Sequence, residues 1–340
     1  MSAKITTHIL VIRLSAMGDV AMTVPVIRAL TEQYPNVKLT ILTRAFFTPF
    51  FRDLENVTVF PADVKGKHKG ILGLFKLAKQ LKALKIDAVA DLHNVLRSNI
   101  LKTFLIGIKT IQIDKGRAEK KALVSGKEFK QLKTTHQRYA DVFKALGFPI
   151  DLSNPIFPKK KPLSEKVIEI IGNTPKKRIG IAPFAAHESK MYPLEQMEQV
   201  IEKLSQKYQV LLFGGGKKEI QTLTYFESQK KGIINLAGKL TLGEEFEVVS
   251  NLDVMLSMDS GNAHMAAMLG VKVITVWGVT HPYAGFASFN QPDDYALLAN
   301  RTQYPKIPTS VYGNVFPENY KNAAGSIAPQ TIINKIESIL

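Results

Sequence analysis

Residues 9–20 read ILVIRLSAMGDV, and their pattern is the clearest indication of the fold class of the N-terminal half. An apolar, β-branched run ends in a turn of small residues, and Asp19 stands where a helix is expected to begin. Apolar residues then recur at the spacing of one helical face over residues 22–30. The pattern predicts a strand, a loop and a helix. In open α/β folds such a loop lies at the carboxyl end of the sheet, where ligands bind.

Asp19 admits two interpretations. An aspartate at a helix start commonly accepts a backbone N–H of the first turn and acts as an N-cap. A carboxylate at a ligand-binding edge is also placed to accept a proton from a substrate. The local sequence leaves both open.

Length and composition indicate a globular protein of two domains. The chain has 340 residues, more than one hydrophobic core usually holds. A hydrophobic content of 45% with 22% charged residues excludes a disordered chain, and the lack of cysteine excludes disulfides and thiolate metal sites. No apolar stretch approaches the roughly 20 residues that span a bilayer, and none is typical of a signal peptide, so we expect a cytoplasmic protein.

The net charge of +16 is concentrated in the first half of the chain. Residues 1–160 contain 27 Lys and Arg against 12 Asp and Glu, a net charge of +15, and the remainder carries +1. Such a surface attracts nucleic acid, anionic membrane or phosphorylated substrates. The basic region lacks the interleaved aromatic residues that stack on bases, which argues against nucleic acid.

Strand-like and helix-like segments alternate in both halves, which predicts two parallel, doubly wound sheets. Proline and lysine interrupt every periodicity over residues 149–162, which we interpret as a linker. We therefore expect an N-terminal domain at 1–160, a second domain at 161–325 and a C-terminal helix at 326–340 that packs back on the first domain.

The segment 71–84 predicts an amphipathic helix with a lysine-rich polar face. Such a face is typical of a solvated helix, and a membrane-surface role is the alternative. The predicted buried stripe consists of Ile71, Leu74, Phe75, Ala78, Leu81 and Leu84.

A second strand-to-helix turn lies in residues 256–267, LSMDSGNAHMAA. Glycine allows a tight turn and a close backbone approach to a ligand, and the free N–H groups of the helix start favour an anion. We expect a pyrophosphate site here that lacks a Walker lysine, because no P-loop motif occurs in the chain. The alternative is an ordinary helix capped by Asp259 or Ser260.

Two further loops follow predicted strands. The three glycines at 214–216 precede Glu219, whose carboxylate either binds ribose hydroxyls or interacts with the helix dipole. Lys190 lies in the loop after the strand predicted at 178–182, where its charge can neutralise phosphate oxygens or remain in solvent.

Taken together, these motifs resemble glycosyltransferase family 9, the ADP-heptose:lipopolysaccharide heptosyltransferases, from residue 8 to about residue 285. The resemblance rests on the order of five segments, which are LSAMGD at 14–19, DLHNVLRS at 91–98, KMYP at 190–193, GGGKKE at 214–219 and DSGNAH at 259–264. It implies a GT-B architecture of two Rossmann-like domains that face each other across a cleft, the acceptor on the first and the nucleotide sugar on the second.

The resemblance also implies an inverting transfer with Asp19 as the general base. Donor-binding positions carried over from it are Lys190, Gly214, Gly215, Glu219, Asp259, Ser260, Gly261, Asn262, His264 and Thr280. Acceptor-binding positions are Ser15, Gly18, His93 and Arg97.

Partners and cofactors follow from the same resemblance. We expect ADP-heptose as the donor, an anionic glycolipid acceptor, transient contact with the inner face of the inner membrane, and no nucleic acid. No metal site or cofactor is required, although Mg²⁺ can stimulate the reaction.

The chain departs from the family pattern at Ala185-Ala186, where hydroxyl residues are common, and at His281, where an acid is common. A GT-B transferase with another donor and a nucleotide-sugar epimerase are therefore alternatives.

Overall fold

The computed structural model describes residues 6–340, so residues 1–5 of the predicted first domain lie outside the described residues. The chain forms two compact units. The first comprises residues 6–115 and 133–156, and the second comprises residues 116–132 and 157–340. The structure thus differs from the expected division in two segments, because residues 116–132 and 157–160 belong to the second unit.

The first unit contains a five-stranded, wholly parallel sheet of order β3-β2-β1-β4-β5. Its strands are β1 (Thr7–Ile12), β2 (Val37–Thr43), β3 (Val57–Pro61), β4 (Ala88–Asp91) and β5 (Lys109–Gln112). The helices up to residue 156 are α1 (Met17–Ala21), α2 (Thr23–Gln33), α3 (Gly70–Lys82), α4 (Leu96–Thr103), α5 (Arg117–Val124), which belongs to the second unit, and α6 (Thr135–Leu146).

The second unit contains a six-stranded parallel sheet of order β11-β10-β9-β6-β7-β8. Its strands are β6 (Arg178–Ala182), β7 (Gln209–Leu212), β8 (Ile233–Asn235), β9 (Val254–Met258), β10 (Lys272–Trp277) and β11 (Ala296–Leu298). Its remaining helices are α7 (Glu165–Ile171), α8 (Leu194–Ser205), α9 (Lys217–Gln229), α10 (Leu242–Ser250), α11 (Gly261–Met268) and α12 (Pro329–Ile339).

The two parallel sheets confirm the predicted α/β fold class. Strands buried on both faces explain the continuous apolar runs, since β1 and β9 are almost entirely enclosed. In both sheets the order of strands reverses beside a central strand, and loops that follow neighbouring strands at such a point meet at one edge.

The C-terminal helix differs from expectation. α12 lies in the second unit and packs against α8, with Ile332, Ile333 and Ile336 in the core of that unit. The expected return of this helix to the first domain is therefore wrong. Among residues 6–340, no helix has the length and apolar character needed to cross a membrane.

Candidate active site

In the first unit, Asp19 is held by an arginine that follows the central strand. The Arg13 guanidinium Nη2 lies 2.6 Å from Asp19 Oδ2, and Nη1 donates to the Leu92 carbonyl oxygen at 2.6 Å. The backbone N–H of Ala16 donates to the same Asp19 oxygen at 3.2 Å. Neither contact uses Oδ1, and the Asp19 side chain is 30% exposed. One carboxylate oxygen is therefore held by two contacts, and the structure describes no contact for the other.

Asp19 is not the N-cap residue of its helix, so that interpretation is wrong. α1 begins at Met17, so Ala16 occupies the N-cap and Asp19 is the third helical residue. Its bond to the Ala16 N–H satisfies one donor at the helix start, as a carboxylate at this position commonly does. This local contact uses Oδ2 and not Oδ1.

The loop after β4 lies beside this group, because β1 and β4 are neighbouring strands. Asp91 Oδ1 accepts the backbone N–H groups of His93 and Asn94 at 3.0 and 2.9 Å, and Lys102 Nζ lies 2.6 Å from Asp91 Oδ2. His93 is buried, and its Nδ1 has no hydrogen-bond partner among the described residues. Asp91 thus acts as the anchor of the loop that carries His93.

The remaining predicted acceptor residues are placed less closely. Ser15 and Gly18 are half-buried on either side of the α1 start, near Asp19 in sequence. Arg97 is exposed in the first turn of α4. The structure therefore brings His93 to the Arg13–Asp19 pair and leaves Arg97 as a surface cation.

In the second unit, two predicted residues contact the carboxylate of a third. Lys190 Nζ lies 2.8 Å from Asp259 Oδ2, and Thr280 Oγ1 donates to the same oxygen at 2.8 Å. The side chains of Lys190 and Asp259 are only 13% and 9% exposed. Each residue follows a different strand, respectively β6, β9 and β10, and these strands are neighbours in the sheet.

The start of α11 adjoins this cluster. Ser260 occupies the N-cap without a side-chain bond to the first turn, and its hydroxyl instead lies 3.1 Å from Ser257 Oγ. The expected alternative, a helix capped by the side chain of Asp259 or Ser260, is therefore not found. Gly261 and Asn262 are half-buried in the first turn, and His264 is buried one turn later. N–H groups left without a side-chain cap favour an anion.

The glycine turn after β7 is closed by its own glutamate. Glu219 Oε2 accepts the backbone N–H of Gly215 at 2.7 Å, and a Cβ added at Gly214 would lie 3.2 Å from the same oxygen. Gly216, with φ +86°, starts α9 in a conformation that favours glycine. The structure thus assigns Glu219 a local turn contact and shows no contact between it and Lys190 or Asp259.

Two positioning features were missed at the level of sequence. Arg13 was part of the quoted motif but received no role, although a charged residue directly after a buried strand needs a buried partner. Gly313, with φ +82°, lies so close to Lys190 that an added Cβ would stand 2.6 Å from its Cγ. The loop that carries Gly313 therefore shapes the path of the Lys190 side chain.

Within residues 6–340 no group of three or more His, Asp or Glu side chains has a geometry that holds a metal ion. In the first unit Arg13 is the cationic partner of Asp19, and in the second unit Lys190 is the cationic partner of Asp259.

Buried histidines make the stability of the chain depend on pH. Burial, with Arg301 as a second cause, lowers the pKa of His281 to about 4, and burial followed by Arg13 lowers the pKa of His93 to about 4. In the unfolded chain both titrate near 6.5. Between these values only the unfolded chain binds the protons. The contribution of these two histidines to stability is therefore full above pH 6.5 and is lost as pH drops toward 4, by up to about 3 kcal/mol per histidine.

Thermal unfolding of His281→Asn between pH 7.5 and 4 checks this expectation. The His281 Nδ1 accepts the Tyr283 N–H at 3.2 Å, and asparagine keeps an acceptor at that cap without titrating. We expect the melting temperature of the variant to fall less steeply than that of the wild type below pH 6.5. Equal slopes would contradict the assignment.

Comparison with known proteins finds matches over most of the chain. A sequence profile of glycosyltransferase family 9 (heptosyltransferase) matches residues 74–307. The lipopolysaccharide core heptosyltransferase OpsX of Haemophilus influenzae is 27% identical over 291 residues, which cover 80% of this chain and 79% of that protein.

Solved structures share the fold. The glycosyl transferase family 9 structure from Veillonella parvula superposes with a TM-score of 0.77 at 20% identity and covers 98% of this chain and 97% of its own. The Escherichia coli heptosyltransferase WaaC with ADP-2-deoxy-2-fluoro heptose gives a TM-score of 0.69 at 18% identity, and covers 98% of this chain and 100% of its own. The fold is therefore GT-B. The chain is a glycosyltransferase and belongs to family 9, the heptosyltransferase family.

Proposed function

We propose that the chain transfers heptose from ADP-heptose to the anionic, lipid-linked inner core of lipopolysaccharide, with inversion at the anomeric carbon. The observation that carries the proposal is the Asp19 carboxylate, which is fixed through Oδ2 and open at Oδ1. The acceptor class is supported by the name of the Haemophilus influenzae relative, and the donor by the ligand named with the Escherichia coli structure.

In the proposed reaction, Asp19 Oδ1 accepts the proton of the acceptor hydroxyl as that oxygen bonds to the anomeric carbon. The bond between that carbon and the β-phosphate oxygen breaks on the opposite side, so configuration inverts. ADP leaves with negative charge on its β-phosphate. Lys190 and the first-turn N–H groups of α11 are the donors proposed to stabilise that charge.

The two units divide the substrates in this proposal. The acceptor belongs to the first unit, because residues 1–115 and 133–156 carry +10 of the total charge of +16 and the acceptor is anionic. Ser15, Gly18, His93 and Arg97 remain its proposed contacts. Because the pKa of His93 is lowered to about 4, this side chain is neutral at pH 7 and would contribute a hydrogen bond rather than a charge.

The donor belongs to the second unit. Its proposed contacts are Lys190, Gly214, Gly215, Glu219, Asp259, Ser260, Gly261, Asn262, His264 and Thr280. No divalent cation is required, since Lys190 and the α11 start supply the positive field; Mg²⁺ would at most stimulate. The protein would act in the cytoplasm, at the inner face of the inner membrane, and would bind no nucleic acid.

Calorimetry with ADP, UDP, GDP and CDP, in EDTA and in Mg²⁺, tests the donor. We expect a metal-independent preference for ADP. Transfer from ADP-heptose to a heptose-free inner-core acceptor, with the product configuration read by NMR, then tests the reaction and its inversion. A retained anomeric configuration would remove Asp19 as a general base.

The departures at Ala185-Ala186 and His281 favour one second candidate, a GT-B transferase for another cell-surface glycan. Both positions belong to the proposed donor unit, and neither bears on the Arg13–Asp19 pair. A preference for UDP or GDP in the same calorimetry would select this candidate and discard ADP-heptose. An epimerase would instead convert a nucleotide sugar without any acceptor.

Gly278 supports the Lys190 segment and provides a separate prediction. A Cβ at this position would overlap the Ser189 backbone oxygen and lie 3.4 Å from the Lys190 Cα. We expect Gly278→Ala to lower the free energy of unfolding by about 1–3 kcal/mol and to weaken ADP binding about tenfold, because the backbone must shift. Melting curves and ADP calorimetry provide the measurement.

The matched variant is Gly215→Ala, at which an added Cβ meets no heavy atom within 4 Å. Its free energy of unfolding should stay within about 0.5 kcal/mol of the wild type. Equal melting temperatures for the two variants would contradict the proposed steric cause.

A further inference from the structure

Apolar side chains at the start of α3 face solvent rather than the core. Leu72 is 86% exposed, Ile71 64% and Phe75 56%. The sequence pattern assigned Ile71 and Phe75 to the buried stripe of this helix, and that assignment is wrong. The stripe that packs against the sheet consists of Leu74, Leu77, Ala78 and Leu81.

These residues extend onto a neighbouring segment. α3 packs beside α4, and the Phe75 ring contacts the Phe104 ring edge-on at 5.5 Å. Ile106, two residues beyond Phe104, is 81% exposed. Ile71, Leu72, Phe75 and Ile106, which we call the α3 apolar face, thus form part of one surface of the first unit. Large side chains exposed together in this way mark an interaction surface.

The segment that carries α3 is rich in lysine and contains no acidic residue. No Asp or Glu occurs between residues 64 and 86, whereas seven lysines do, at positions 65, 67, 69, 76, 79, 82 and 85. None of the seven forms an ion pair with a residue that the structure describes. Lys76 and Lys79 are exposed and follow Leu72 by four and seven residues, so they share its side of the helix.

We propose that the α3 apolar face docks on an anionic phospholipid bilayer. Leu72, Phe75 and their neighbours would enter the boundary between headgroups and acyl chains, and the lysines would contact lipid phosphates. The inference adds a binding surface to the proposed function, whose acceptor is lipid-linked. It rests on exposure and charge in the first unit and needs no assumption about the donor.

Charge complementarity selects a lipid surface over a second copy of the chain. Two copies that met through this face would bring their unneutralised lysines together, and like charges at an interface oppose association. Anionic headgroups neutralise them. The isolated apolar residues of one helix start also suit shallow insertion, whereas a stable dimer buries a larger apolar surface.

Co-sedimentation with vesicles tests the proposal on the full chain. Vesicles of phosphatidylcholine alone are compared with vesicles of phosphatidylcholine and phosphatidylglycerol, at low and at high salt. We expect the wild type to bind the anionic vesicles at least about tenfold more tightly, with weaker binding at high salt. Leu72→Glu/Phe75→Glu and Lys76→Gln/Lys79→Gln should each lower that affinity about tenfold or more.

Matched variants control for charge and for folding. Ile168→Glu places the same change on an exposed helical position of the second unit, and Lys159→Gln/Lys160→Gln removes two exposed lysines elsewhere. Both should bind vesicles like the wild type. Leu72→Glu alone, at the most exposed position, provides the test if the double variant fails to fold.

Wild-type vesicle binding by the α3 variants would overturn the proposal. Conversion of a dimer to a monomer by Leu72→Glu, measured by light scattering, would overturn it in favour of a second copy. ADP calorimetry on the same samples separates this result from the proposed function. Loss of vesicle binding with unchanged ADP affinity would support the bilayer surface, and vesicle binding without ADP affinity would reject only the donor.

Discussion

We expect Asp19→Asn to lower kcat by about 10³-fold and to leave the affinity for ADP unchanged. Asparagine keeps the shape and an acceptor oxygen for the Ala16 N–H, but it cannot take a proton at neutral pH. The donor contacts proposed here all lie in the second unit, so the change should not reach them. Single-turnover transfer and ADP calorimetry on the same preparation provide the measurement.

Arg13→Gln is the companion variant, because Arg13 positions Asp19 without being proposed to react. Its guanidinium joins Asp19 Oδ2 to the Leu92 carbonyl, and glutamine cannot make both contacts. We expect kcat to fall about tenfold while the KM for ADP-heptose stays the same. Replacement also leaves Asp19 without its cation, so a modest loss of stability is expected.

Two results would decide against the general base. If Asp19→Asn kept wild-type turnover, proton acceptance by Asp19 would be wrong. If the loss of activity in Arg13→Gln and in Asp19→Asn were fully explained by the loss of folded protein in each variant, both residues would serve the fold alone. A double variant that is no slower than Asp19→Asn would indicate that Arg13 acts through Asp19.

The sequence predicted the individual motifs better than the contacts between motifs that are distant in the chain. Lys190 was expected to bind phosphate and Asp259 to lie at a helix start, but no sequence pattern predicted that the two side chains contact each other. Their 2.8 Å contact depends on β6 and β9 being neighbours, a property of strand order. Periodicity over a few residues carries no information on which strands pair, so long-range convergence could be expected only from the family resemblance.

The corrections have physical causes of the same kind. The pattern over 22–30 predicted one helix from Asp19, and the structure contains α1 and α2, with a break at Met22. Residues 116–132 follow the first sheet in sequence but belong to the second unit, where Lys120 lies 4.2 Å from the centre of the Phe286 ring. The spacing of apolar residues in α3 predicted one buried stripe, but Ile71 and Phe75 of that stripe face water. Tertiary packing decided each case.

The second large effect is expected at the donor site. Lys190→Ala should weaken ADP binding at least about tenfold and lower kcat/KM by about 10²–10³-fold. A lysine ammonium has three N–H donors, and the structure describes one contact for it, with Asp259. The others are free to bind phosphate oxygens, and the charge opposes the negative charge that develops on the leaving β-phosphate.

Lys190→Ala has a second consequence, since it leaves the Asp259 carboxylate buried with the Thr280 hydroxyl as its remaining side-chain donor. Loss of one member of a buried ion pair costs about 3–5 kcal/mol. The double variant Lys190→Ala/Asp259→Asn removes the stranded charge and should recover most of the stability. It should not recover ADP affinity or turnover if Lys190 binds phosphate.

The pair of variants therefore separates two roles of one side chain. If Lys190 served only to neutralise Asp259, the Asp259→Asn change would compensate for its loss. The double variant would then bind ADP like the wild type. Thr280→Val provides a scale for the stability change, because it removes one hydrogen bond to Asp259 Oδ2 and should cost about 1 kcal/mol. Recovery of stability without recovery of ADP binding would show that the Lys190–Asp259 pair serves donor binding and not the fold alone.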